Sequence, residues 1–146
     1  EKSFKLSALK KGDYIRSFGY VKVLKGGKEF YFATTHLDHK YEDAARLLQI
    51  NEILSHVEQL DLPVILGGDL NSRRGSATME AFQRYFTVNC LSDGAPWTVP
   101  APNPTYACDW LIYAPNKAFV VKAYNVCYWA DKESDHFPVT ATYVIR

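Results

Sequence analysis

Three aliphatic residues that end in two glycines, an acid and an amide limit the folds open to this chain more than any other stretch. They lie in Pro63 to Ser72, Pro-Val-Ile-Leu-Gly-Gly-Asp-Leu-Asn-Ser. Val64, Ile65 and Leu66 form the short apolar run of a strand buried on both faces. Gly67 and Gly68 remove side chains, so the backbone can turn sharply and another group can come close. Asp69 and Asn71 are two apart, which on extended backbone sends both side chains to the same side. A carboxylate and an amide at the carboxyl end of a buried strand occupy the place where open α/β sheets put ligand sites. Gly, Asp and Asn are also turn formers, so a plain turn is the alternative.

The rest of the chain supplies partners for such a strand. Tyr20 to Leu24 alternates as a strand, Gly26-Gly27 is a two-residue hairpin signal, and Lys28 to His36 returns. Phe30, Phe32, Thr34 and His36 share one face of the return strand and Tyr31, Ala33 and Thr35 the other, which predicts cover on both sides. Tyr41 to Leu60 reads as a helix with Ala44, Leu47, Leu48, Leu54 and Val57 on its apolar face and a Glu42–Arg46 surface pair. Ser76 is placed to cap a second helix over Ala77 to Phe86, packed through Met79, Phe82 and Phe86. Asn89 to Thr105, rich in Pro, Gly and Asp, is a long loop of the kind that often carries function. Asp109 to Tyr113, Val120 to Tyr128 and Phe137 to Ile145 are further strands, with a polar turn at Ala130 to Ser134. Residues 1–18 show mixed charge and no period and read as an irregular opening segment. The sum is one α/β domain over residues 1–146.

Charge and cysteines exclude more than they specify. A formal net charge of +1 gives no basic footprint that would by itself argue for duplex DNA. Cys90, Cys108 and Cys127 are odd in number and lack zinc or redox spacing, so they read as buried free thiols. No apolar run is long enough to span a membrane. The chain begins at Glu1 rather than Met, which reads as a shortened product, and a targeting segment ahead of it stays open. A secreted or periplasmic location is therefore open, and the compartment is not fixed.

Four places put acids or imidazoles where an apolar strand begins or ends: His36, Asp69 with Asn71, Asp109, and Asp135 with His136. If these strands are neighbours, the polar groups meet on one rim. Cleaving a phosphate ester needs such a set. A divalent ion on carboxylate oxygens offsets the charge that repels the nucleophile. A His or Asp takes a proton from water, a neighbouring acid orients the imidazole, and donors face the phosphoryl oxygens. Each residue also has a plain reading, His36 as a half-buried histidine, Asp135 as a turn acid and Asp109 as a loop cap. Arg73-Arg74 is either a phosphate contact or a solvated loop. Trp97, Tyr106, Trp110 and Trp129 are either stacking platforms or core.

Thr35-His36-Leu37, Gly68-Asp69-Leu70-Asn71, Asp109-Trp110-Leu111-Ile112 and Ser134-Asp135-His136-Phe137-Pro138-Val139, in this order, resemble the endonuclease/exonuclease/phosphatase family, the DNase I-like fold. Arg46 and Gln49 add to the likeness, which runs from Tyr20 onward. The resemblance implies a four-layer α/β sandwich and a phosphoesterase dependent on Mg²⁺ or Mn²⁺. It implies His136 as general base with Asp109 orienting it, His36 as donor to a phosphoryl oxygen, and Asp69 as the acid that positions water. It further implies Asn71 on a phosphate oxygen, Asp135 with Asp69 at the metal, and Arg46, Asn71 and Arg73 toward substrate. Within that family the base is assigned either to the His or to the Asp.

The family's early Asn, its main metal-binding Glu and the acid that serves the residue matching His36 precede the Thr-His-Leu motif, and no residue here replaces them. The chain is therefore expected to be the C-terminal half of such a sandwich. It would contribute one mixed, mainly antiparallel sheet with helices on one face. A lone half would leave an apolar sheet face open, so it is expected to pair with the missing N-terminal half or with a copy of itself. A non-catalytic interaction module that keeps the fold is the competing function.

Overall fold

Val64, Ile65 and Leu66 are all buried, Val64 and Leu66 against the helices and Ile65 against the opposite layer. Alternation along a strand demands that split. The computed structural model describes residues 1–40, 42–88 and 97–146. Eight strands occur in it: β1 (Lys2–Leu6), β2 (Arg16–Lys25), β3 (Lys28–Thr35), β4 (Val64–Asp69), β5 (Thr87–Val88), β6 (Asp109–Ala114), β7 (Phe119–Val126) and β8 (Val139–Ile145). The helices are α1 (Ala44–Val57) and α2 (Ala77–Gln83). Six strands form one sheet in the order β1-β2-β3-β4-β6-β5, and β7 and β8 pair apart from it as a two-stranded ribbon.

The sheet is mixed. Only β3 and β4 run parallel, joined by α1, and the other pairs are antiparallel. Gly26 and Gly27 both hold positive φ, at 58° and 76°, as a tight two-residue hairpin with Lys25 opposite Lys28 requires. Ser76 caps α2, its side chain accepting from Met79 N. Ile50, Ile53 and Val57 of α1 and Met79 and Phe82 of α2 pack with Phe18, Leu66, Trp110 and Ile112 of the sheet. Each such aliphatic side chain contributes about 1.5–3 kcal/mol when fully buried.

Several sequence expectations change. Residues 1–18 are not irregular throughout, because β1 pairs antiparallel with the start of β2, Lys2 opposite Tyr20 through Leu6 opposite Arg16. Its alternation places Phe4 and Leu6 toward the core while lysines line an exposed edge. The buried face of α1 is Ala45, Arg46, Gln49, Ile50, Ile53 and Val57, rotated from the expected stripe because two polar residues take interior positions. Arg46 pairs with Asp43 at 2.7 Å rather than with Glu42. The last strand does not join the main sheet; with β7 it folds over the face opposite the helices. There Phe119, Tyr143 and Ile145 pack on Ile65, Tyr113 and Phe30.

That ribbon covers only part of the face. Farther out, Phe32 on β3 is 42% exposed and Val21 on β2 40%. The predicted cover on both sides of β3 is therefore present at Phe30 and lacking at Phe32. Cys90 and the first part of the long loop lie outside the described residues. Of the other cysteines, Cys108 is buried and Cys127 half-buried, both as free thiols.

Candidate active site

The parallel β3–β4 pair sets the first half of the site. Beyond Thr35 the chain stays beside β4, with Leu37 N donating to Asp69 O at 3.0 Å. His36 Nε2 therefore lies 3.2 Å from Asp69 Oδ2. Gly68 makes this approach feasible. Its φ is +155°, and a Cβ there would sit 1.9 Å from Thr35 O, a contact no side chain can relieve. Asn71 has a positive φ of 46°, a conformation that Asn tolerates better than most residues. Its N–H donates to Asp69 Oδ1 at 2.8 Å and its Nδ2 to Leu37 O at 3.0 Å, so the Asp-x-Asn turn clamps the end of β3.

The antiparallel β4–β6 pair sets the second half, with Asp69 directly opposite Asp109. His136 comes from the segment before β8. Phe137 N donates to Thr98 O and Ala101 N to Asp135 O, both at 2.8 Å, which ties that segment to the loop 97–106. His136 Nδ1 lies 2.9 Å from Asp109 Oδ2. A proton on Nδ1 satisfies this bond and leaves Nε2 able to accept one.

The two imidazoles respond differently. Burial is the largest influence on His36 and lowers its pKa; Asp69 opposes this without reversing it, and Arg16 adds to the lowering. Burial is also the largest single influence on His136 and pulls downward. Asp109, through its hydrogen bond and its charge, together with Asp69 and Asp135, outweighs it, and His136 ends above its ordinary value. Burial first, then the charges of Asp109 and Asp69, push the Cys108 thiol far up, so it stays protonated.

The structure thus brings His36, Asp69, Asn71, Asp109 and His136 together. Arg46 is buried, its guanidinium committed to Asp43, to the Asp38 carbonyl and to the Lys40 carbonyl, and it lines one cleft with Asn71 and Arg73. It braces the chain at Asp38, Lys40 and Asp43, and Gln49 adds to this by accepting from Asp38 N at 2.9 Å. Arg73 lies over the ring of Tyr106, 4.1 Å from its centroid, beside a cleft of about 380 Å³ that also reaches Asn71 and Lys40. Asp135 is exposed and accepts from Ser134 Oγ at 3.3 Å. Trp110 is core, its Nε1 donating to Ser72 O at 2.9 Å, whereas Trp97 and Trp129 are exposed.

Two contributors have no sequence signal of their own. Thr98 Oγ1 accepts from Cys108 N and Asp109 N, at 3.2 and 3.4 Å, and so fixes the start of β6. Cys108 touches the His136–Asp109 pair. Asp69, Cys108, Asp109 and His136 each bring a ligand atom to within 4.8 Å of the others. The carboxylates in this group suit a hard divalent ion, since Mg²⁺ usually takes one or two of them from a protein. Among the described residues Asp135 is not in the group.

No family model matches this chain. A stretch is 37% identical over 73 residues to sphingomyelinase C 1 of Leptospira interrogans, covering 43% of this chain and 12% of that protein. The mannosyl-6-phosphatase of Bacteroides thetaiotaomicron superposes with a TM-score of 0.80 at 22% identity, covering 99% of this chain and 65% of that one. An endonuclease/exonuclease/phosphatase family protein from the same organism gives 0.77 at 22% identity, covering 99% and 64%. TDP2 of D. rerio, complexed with a single-strand DNA product, gives 0.72 at 17%, covering 99% and 67%. The chain accordingly spans less than two thirds of the first two of these solved structures.

Proposed function

We propose that this chain, which has the fold of the endonuclease/exonuclease/phosphatase proteins, is part of a divalent-metal-dependent phosphoesterase that hydrolyses a phosphodiester or phosphomonoester. One observation carries this reading: two imidazole–carboxylate pairs, His36–Asp69 and His136–Asp109, converge from four separate segments. Coverage of the solved relatives fits a C-terminal portion that works with further chain, and the open face around Val21 and Phe32 is where that further chain would pack.

Asp69, with Asp135 at the rim, would hold Mg²⁺ or Mn²⁺; bound there, the ion would neutralise charge on the phosphoryl oxygens. The remaining work falls to side chains. His136, oriented by Asp109, takes a proton from water at Nε2, and Asp109 stabilises the resulting imidazolium. His36, its Nε2–H held by Asp69, donates from Nδ1–H to a phosphoryl oxygen in its protonated form, which the charge of an arriving phosphoryl group favours. Asn71 steadies the same group, and Arg73 on its Tyr106 platform offers a fixed guanidinium to a further phosphate or hydroxyl of the substrate.

The test is Mg²⁺-dependent hydrolysis of bis-p-nitrophenyl phosphate by the chain with its missing portion supplied. His136→Ala is expected to cut kcat by about 10²-fold or more, as loss of a general base does. Unchanged turnover in a folded variant would remove the proposal.

A further inference from the structure

We propose that Cys108, Asp109 and His136 form a site for a borderline-soft divalent ion, Zn²⁺ above all, at the back of the His136 imidazole. Cys108 Sγ lies 3.8 Å from His136 Nδ1 and 3.4 Å from Asp109 Oδ2. Bonds of ~2.0–2.3 Å to a tetrahedral Zn²⁺ put its ligand atoms ~3.3–3.8 Å from one another. Both sulfur distances therefore match the edges of a zinc tetrahedron before any ion is present. The Nδ1 to Oδ2 spacing, 2.9 Å, is that of a hydrogen bond and must open as the ion enters. Asp69 is the fourth donor, within 4.8 Å of the rest.

The donor types favour the same ion. Thiolate, imidazole and carboxylate together suit Zn²⁺, whereas hard Mg²⁺ and Mn²⁺ select oxygen. The position of Cys108 is set by structure rather than chance, because Thr98 Oγ1 fixes its backbone N–H and its side chain is buried against the pair. Binding replaces the S–H bond with S–Zn, and the proton leaves to water. It also separates His136 from Asp109. On the phosphoesterase reading above, Zn²⁺ is therefore an inhibitor where Mg²⁺ is an activator; the binding itself does not rest on that reading.

Co²⁺ reports the site directly, since a thiolate on cobalt gives a near-ultraviolet charge-transfer band. In the chain carrying Cys90→Ser and Cys127→Ser, where Cys108 is the sole thiol, the band is expected to saturate at one equivalent and to vanish on adding Zn²⁺. In the otherwise unaltered chain, Cys108→Ala is expected to abolish the band. Competition with a chromophoric chelator should then show at least tenfold weaker Zn²⁺ binding. Absence of the band in the single-thiol chain, or its survival in Cys108→Ala, overturns the site, and either variant decides alone if the other fails to fold. Zn²⁺ that binds without slowing Mg²⁺-dependent hydrolysis overturns the inhibition. Complete lack of hydrolysis with the band intact instead overturns the phosphoesterase reading.

Discussion

The two imidazole–carboxylate pairs look alike in contact distance and differ in character. His36 and Asp69 meet at 3.2 Å where parallel strands end, and the His36 side chain is 54% exposed. His136 and Asp109 meet at 2.9 Å across a strand and a loop, with the His136 side chain 28% exposed. In the first pair burial outweighs the carboxylate and the imidazole's pKa is lowered. In the second the carboxylates outweigh burial and the imidazole's pKa is raised. Environments that push two titratable groups apart are what separate a donor from a base. A single acid beside each histidine does not make them equivalent; the second pair gains from Asp69 and Asp135 as well as from Asp109.

The strongest way to break this contrast is to remove the backbone approach that both pairs share. Gly68→Ala forces a Cβ into Thr35 O and displaces Asp69, which faces both His36 and Asp109. A loss of about 3 kcal/mol or more is expected by urea unfolding, and wild-type stability would refute the role given to that glycine. Next comes Asp109→Asn. Its expected cost is about 10²-fold in kcat, equivalent to about 2.7 kcal/mol, with the His136 pKa falling below its wild-type value in an NMR titration while His36 moves little. Equal shifts in both rings would erase the distinction.

Asp43→Asn serves as a control outside both pairs. Burial is the largest influence on Asp43 and raises its pKa, but hydrogen bonds from Arg46 and Thr78 leave it lowered. The contribution is thus present above the unfolded carboxylate value near 3.9 and is lost as pH falls through the lower folded value. We expect about 1 kcal/mol of lost stability at neutral pH, with neither imidazole pKa changed. The smallest effect is the pH dependence of the pairs themselves. The raised His136 stabilises the fold below about pH 6.5, and this fades as pH rises through its folded pKa. The lowered His36 does the reverse, destabilising as pH falls below about 6.5. The two act on opposite sides of that pH, so stability should peak near about pH 6.5 and fall modestly on either side, while ring-resolved titrations separate them. A monotonic rise or fall across about pH 5 to 8 would contradict the opposed shifts.

Local signals carried much of this. The β4 run, the Gly26-Gly27 hairpin and the Ser76 cap were legible because each depends on residues within a few positions. The site was legible because strand ends concentrate polar groups that strands themselves exclude. The Glu42–Arg46 surface pair does not form because the burial of Arg46 depends on acceptors at Asp38, Lys40 and Asp43, which only the folded chain assembles. Strand β1 was not legible because its five residues, two of them lysines, show too short an alternation. That β7 and β8 leave the main sheet is decided by packing against Ile65 and Tyr113, which no periodicity records.

The ribbon's separate standing has a consequence for control of the chemistry. Its strands share no backbone ladder with the six-stranded sheet and meet it through side chains, among them Tyr143 Oη donating to Leu111 O at 3.4 Å. His136 thus leads into a flap held by side chains and by the backbone bonds of Asp135 and Phe137 to the loop 97–106, and its detachment leaves every pairing of the six-stranded sheet intact. A modest wedge beneath that flap would part His136 from Asp109 while the remaining fold stayed whole, so on the proposed reading activity and global stability are separately adjustable.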